Sequence, residues 1–82
     1  MKKDKLISKI LNNPKDVSFN DAVKCAEWFG FKLDRVNGSH NIFIHAENEN
    51  LLNLQNIKSN AKPYQIKQLI DLIEKNNLKL KV

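Results

Sequence analysis

Eighty-two residues, 41% apolar and 28% charged, are enough for one domain over 1–82 with a single modest core, and the composition is that of a globular chain, not a disordered one. Fourteen Lys and Arg against nine Asp and Glu leave a formal charge of +5, which favours a polyanionic or acidic partner, nucleic acid first, although lysines also simply solubilise a small domain. The single cysteine, Cys25, excludes a disulfide within these residues and a cysteine-based zinc site, and two histidines give a metal centre little to build on, so no metal and no cofactor are expected. No apolar run approaches the roughly 20 residues of a membrane span, and the Lys-rich start leads into an amphipathic pattern, so no membrane is expected and the chain reads as cytoplasmic.

Leu6, Ile7, Ile10 and Leu11 recur at helical spacing until Asn12-Asn13-Pro14, where proline cannot continue the pattern; a first helix is expected over about 2–12. After the turn at Pro14-Lys15-Asp16, Ser18 is placed to cap a second helix, with Asp21 three residues on. Phe19, Ala22, Val23, Ala26 and Phe29 form its apolar stripe, Cys25 and Trp28 widen the stripe towards the core, and Gly30 closes the helix. From Phe31 the period drops to two, with Phe31 and Leu33 alternating with Lys32 and Asp34, and Asn37-Gly38 marks a hairpin turn. A second strand follows over about 40–45, a polar turn over 46–50, a third strand over about 51–57 and a polar loop over 58–62. Pro63 suits the first turn of a third helix that carries Ile66, Leu69, Ile70 and Ile73 and ends near Asn76-Asn77. The tail 78–82 alternates apolar residues with lysine and reads as a short strand or a frayed end. This order predicts an α+β domain, α-α-β-β-β-α, with a three-stranded antiparallel sheet, helices on one face and the other face at least partly open. It resembles the double-stranded-RNA-binding fold with an extra helix in front.

Chemistry is concentrated in Gly38-Ser39-His40-Asn41-Ile42-Phe43-Ile44-His45, where a small flexible pair delivers a histidine to the start of an apolar strand. Parity along a strand sets His40, Ile42 and Ile44 on one side and Phe43 and His45 on the other. With Ile42 and Ile44 expected against the helices, His40 would sit at the rim of the core, a workable place for a proton-transfer group beside a phosphate; the plainer reading is a strand-end histidine bonded to the turn. Phe43 and His45, expected on the open face, read as a stacking platform for bases or as ordinary exposed strand residues. His45 lies on the face opposite His40, an awkward position for a shared proton relay.

No carboxylate pair, glycine-rich phosphate loop or nucleophilic triad stands out. Ser39 adjoins His40, but neighbours on a strand point apart, so Ser39 suits a phosphate or backbone hydrogen-bonder better than a nucleophile. An RNA target relieves this chemical poverty, because its 2′-hydroxyl is an internal nucleophile and the protein need only move protons and steady the phosphate charge. Arg35, on the strand before Gly38, and Lys58 and Lys62, flanking the loop into the third helix, are the candidate phosphate contacts; each also reads as a solvated surface charge.

Gly38-Ser39-His40, following a helix that ends in Gly30-Phe31 and leading into Ile42-Phe43-Ile44-His45, resembles the signature of the HicA family of type II toxins, small basic mRNA interferases with a double-stranded-RNA-binding-like fold. The similarity covers about 18–78, and Lys62-Pro63 before an apolar helix resembles the family's approach to its last helix. The resemblance implies that His40 is the catalytic general acid or base of metal-independent mRNA cleavage, that Gly38 permits the tight turn presenting it, and that Ser39 steadies the RNA. The implied partners are mRNA and a HicB-type antitoxin covering the His40 region. Two features depart from the family pattern: the additional N-terminal helix within 1–13, and a third strand, Leu51-Leu52-Asn53-Leu54-Gln55, without the proline and basic residues expected near it. The rival reading is a non-catalytic module of the same fold that holds RNA or a partner protein.

Overall fold

The computed structural model describes the backbone over residues 3–80 and side chains over 5–80. Six elements follow one another: α1 (Lys3–Asn12), α2 (Phe19–Trp28), β1 (Phe31–Asn37), β2 (His40–His45), β3 (Leu51–Gln55) and α3 (Pro63–Lys75). The strands form one antiparallel sheet in the order β1-β2-β3, so the protein is of the α+β class, α-α-β-β-β-α, with β2 in the centre. Residue 2 of the expected first helix and residues 81–82 of the tail lie outside the described residues; through Leu80 the tail is neither helix nor strand.

Local chemistry sets the boundaries. The Ser18 hydroxyl accepts the Asp21 N–H at 3.2 Å and caps α2. Gly30 then turns the chain into β1 at φ +98°, a conformation open to glycine at little cost. The two turn residues of the β1-β2 hairpin are Gly38 and Ser39, one step later than the expected Asn37-Gly38, since Asn37 pairs with His40. Gly38 alone has positive φ there (+64°), as the first position of a type II′ turn requires. Pro63 opens α3, where its missing N–H is no loss.

The core lies between the helices and one face of the sheet, where Phe31, Phe43, Leu52 and Leu54 meet Ala22 and Ala26 of α2 and Ile66 and Leu69 of α3. Leu6 and Ile10 of α1 are each only 2% exposed, so the additional helix is part of that core.

The sheet turns the opposite face to the helices from the one expected. Phe43 and His45 are buried, whereas Ile42 and Ile44 are only half-buried and His40 is exposed. The reason lies in the register. A β-bulge between Leu33 and Arg35 shifts the pairing, so that Phe31 stands opposite His45 and Leu33 opposite Phe43, while Lys32 stands opposite Ile44 and Arg35 opposite Ile42. Burying the Ile42 and Ile44 face would therefore bury two cations with it, whereas the other face brings Phe31 and, from β3, Leu52 and Leu54.

The third strand is also shorter than the 51–57 expected. Beyond Gln55 the chain folds into a tight turn in which Ile57 and Asn60 exchange backbone hydrogen bonds of 2.9 Å. Lys58 (φ 51°) and Ser59 (φ 71°) occupy the left-handed region without a glycine. Such residues cost about 1 kcal/mol or more each, and the strain is held by Asn56 Oδ1, which accepts the Ser59 N–H at 2.8 Å, and by the Ser59 carbonyl, which accepts the Phe19 N–H at 2.9 Å.

Candidate functional site

His40 opens the central strand directly after the Gly38-Ser39 turn. It is exposed, not at the core rim as expected, because the face it shares with Ile42 and Ile44 is the open one. Its Nδ1 is met by the Asn53 side chain, with Nδ2 at 3.0 Å and Oδ1 at 3.3 Å. Among the described residues Nε2 has no hydrogen-bond partner, so the opposite edge of the ring is left to solvent. Asn53 is aimed there by its neighbours: Leu52 and Leu54 are fully buried, and strand parity then turns Asn53 onto the open face, opposite Ile42 and diagonal to His40.

The expected phosphate contacts come from three places in the chain: β1, the turn after β3 and the residue before α3. Arg35 lies on β1 opposite Ile42, one diagonal step from His40, with its guanidinium 2.6 Å from the Asp34 carboxylate, and both side chains are well exposed. The Ser39 carbonyl accepts the Asn56 N–H at 3.3 Å, which ties the hairpin tip to the turn carrying Lys58. Ser39 thus acts here through its backbone, and Asn41 Nδ2 donates to the same carbonyl at 3.2 Å. Lys62 is the residue before α3, and α3 reaches the sheet through Gln65: the Gln55 N–H donates to Gln65 Oε1 at 2.7 Å, and Gln65 Nε2 donates to Gln55 Oε1 at 3.1 Å. Gln55 is the cross-strand partner of His40. The Lys62 ammonium also lies 5.8 Å from the centre of the Tyr64 ring, and Tyr64 is 60% exposed.

His45 is a different kind of histidine. It is 2% exposed; its Nε2–H donates to the Phe29 carbonyl at 2.8 Å, and its Nδ1 accepts the Glu47 N–H at 3.1 Å. Its ring stands edge-on to Phe31 at a centroid distance of 5.1 Å. The expectation that Phe43 and His45 form a stacking platform on the open face is thereby corrected: Phe43 is core, and His45 staples the end of α2 to the sheet. Cys25 is likewise packed, and burial pushes its thiol up to about 11, which disfavours a nucleophilic thiolate.

Asn53, Gln55, Gln65 and Tyr64 were not singled out by the sequence. Their roles depend on strand register and on the docking of α3, and neither has a local signature. Among the described residues, no group of three or more His, Cys, Asp and Glu could hold a metal ion, and no helix is long and apolar enough to cross a membrane. A cleft of about 330 Å³, lined by His45, Asn48, Asn76 and Lys79, lies at the other end of β2 from His40.

The chain is thus defined as an α+β protein with helices on one face of a three-stranded sheet and a solvent-facing histidine where the central strand begins. No family model, no curated protein and no solved structure matches it.

Proposed function

We propose that this protein is a metal-independent endoribonuclease of the HicA type, a cytoplasmic toxin that cleaves mRNA and is held in check by a HicB-type antitoxin. The observation that carries the reading is His40 itself: an exposed imidazole with Nδ1 held by Asn53 and Nε2 turned to solvent, one diagonal step across the sheet from Arg35. RNA supplies the nucleophile. Nε2 of neutral His40 takes the proton of the 2′-hydroxyl as the 2′-oxygen bonds to phosphorus; the bond to the 5′-oxygen breaks, and solvent supplies the proton that this oxygen needs. The products are a 2′,3′-cyclic phosphate and a 5′-hydroxyl end. Arg35, Lys58 and Lys62 balance the charge on the phosphate, Gly38 allows the turn that presents the histidine, and Ser39 steadies the RNA at the hairpin tip.

The test is cleavage of an mRNA in the presence of EDTA by the wild type and by His40→Ala. The reading expects cleavage by the wild type alone, with cyclic phosphate ends, and undiminished cleavage by His40→Ala would sink the catalytic role. One observation favours the rival binding module: Ile42, Ile44 and Leu51 leave an apolar strip on the open face beside Lys32 and Arg35. That reading expects salt-sensitive RNA binding, or capture of a protein partner, that His40→Ala leaves intact, with no cleavage by either protein.

A further inference from the structure

We infer that Asn53 is the positioning residue of His40: its side-chain amide holds Nδ1 in either protonation state and so fixes Nε2 as the nitrogen offered to a substrate. The catalytic consequence rests on the RNA-cleavage reading, but the pairing does not.

Both polar atoms of the Asn53 amide are within reach of the same ring nitrogen, Nδ2 at 3.0 Å and Oδ1 at 3.3 Å. An amide is suited to this position because its two ends are a donor and an acceptor of nearly equal size. When the ring is neutral with its proton on Nε2, Asn53 Nδ2 donates to Nδ1. When the proton is on Nδ1, or the ring is charged, a half-turn of the amide presents Oδ1 as the acceptor. The second arrangement matters for chemistry, since only with Nδ1 protonated does neutral His40 have a free Nε2 lone pair to act as a base. A histidine left to itself at an exposed strand end has no such guide. The other groups facing it are Asn37 and Gln55, directly across the sheet, and Ile42 and Arg35 on the same face, with Arg35 engaged by Asp34. Fully buried Leu52 and Leu54 on either side fix the direction of the Asn53 Cβ, so its side chain leaves the strand on the face of His40.

The test is made on the full chain by nitrogen-15 NMR, with RNA cleavage measured separately. In the wild type, the Asn53 side-chain amide resonances should move together with the His40 ring nitrogens whenever the ring gains or loses its proton. In Asn53→Asp, a carboxylate that can only accept should hold the neutral His40 proton on Nδ1 alone. In Asn53→Ala, the ring should show the tautomer mixture of free imidazole. For cleavage, Asn53→Ala should lower kcat about five- to tenfold, the equivalent of one net hydrogen bond, with KM little changed. Asn53→Asp should move the pH–rate profile to higher pH, because the carboxylate favours the imidazolium. An Asn53 amide that ignores the His40 titration, together with one tautomer pattern in all three proteins, overturns the inference, as does a loss confined to KM. If the wild type fails to cut RNA while the amide and tautomer responses appear, the proposed function is wrong and the pairing stands.

Discussion

Replacing Gly30 by Ala tests how tightly the turn between α2 and β1 is built. A Cβ at this position would stand 2.8 Å from His45 Nε2, closer than real contacts allow, on a backbone at φ +98°. An L-residue in that region costs about 1–2 kcal/mol by itself. The ring cannot simply yield, since Nε2 donates to the Phe29 carbonyl at 2.8 Å, Nδ1 accepts the Glu47 N–H, and one edge rests on Phe31. Displacing it breaks a buried hydrogen bond and strands a carbonyl, for about 1–3 kcal/mol more. The sum, about 2–5 kcal/mol, is a large share of the roughly 4–12 kcal/mol expected for a domain of this size. Urea unfolding followed by Trp28 fluorescence should show the midpoint falling by about 2 M or more at an m-value near 1 kcal/mol/M. The clash is isolated by repeating the substitution in a His45→Ala background, where only the backbone strain remains and Gly30→Ala should cost at least about 1 kcal/mol less. A cost below about 1 kcal/mol in the wild type, or equal costs in both backgrounds, would refute the argument.

Three further outcomes are expected. Gln65→Leu removes both partners of Gln55, the acceptor of its N–H and the donor to its side-chain oxygen, and should lower stability by about 1–3 kcal/mol; a melting temperature unchanged in circular dichroism would contradict this. Cys25 should resist thiol reagents in the native protein and react at once in denaturant. Because burial lifts the folded thiol from 9.0 to about 11, the unfolded chain gives up its proton first, so stability should fall as pH rises across that interval, and Cys25→Ala should lack this component of the slope. Lys58→Ala and Lys62→Ala should each reduce the dependence of log RNA affinity on log salt by about 0.7 for every phosphate left without its cation, with the fold barely affected; an unchanged slope removes that lysine from the interface.

What the sequence made legible was local. Ser18 and Gly30 bracket α2, Pro63 and Asn77 bracket α3, and Gly38 sits in the hairpin turn, because each of these residues satisfies a backbone requirement that its neighbours reveal. The orientation of the sheet was not legible, and the cause is a single residue. In a regular hairpin closed by Gly38-Ser39, Arg35, Leu33 and Phe31 would share the face of Ile42 and Ile44, and burying that face would be the natural choice. The bulge beside Asp34 inserts one position, so Phe31 and Leu33 cross to the side of Phe43 while Lys32 crosses to join Ile44. Nothing but the adjacent charges of Asp34 and Arg35 hints at it. The Lys58-Ser59 turn was hidden for a similar reason: it takes two positive φ angles without the Asn or Gly that ordinarily announces them.

The same bulge decides what the site is. With Lys32 and Arg35 on the face of Ile42 and Ile44, that face cannot be covered by a helix without burying cations, and it stays open. His40, first in that row, is therefore exposed, and its one tether among the described residues is a strand neighbour, Asn53, which core leucines aim at it. Had the opposite face been open, the outward histidine would have been His45, and the core would have forgone the hydrogen bonds that it now makes to Phe29 and Glu47. The two histidines are thus separated by one inserted residue: the imidazole with both nitrogens bonded holds the fold, and the one with a nitrogen to spare stands on the open face of the sheet.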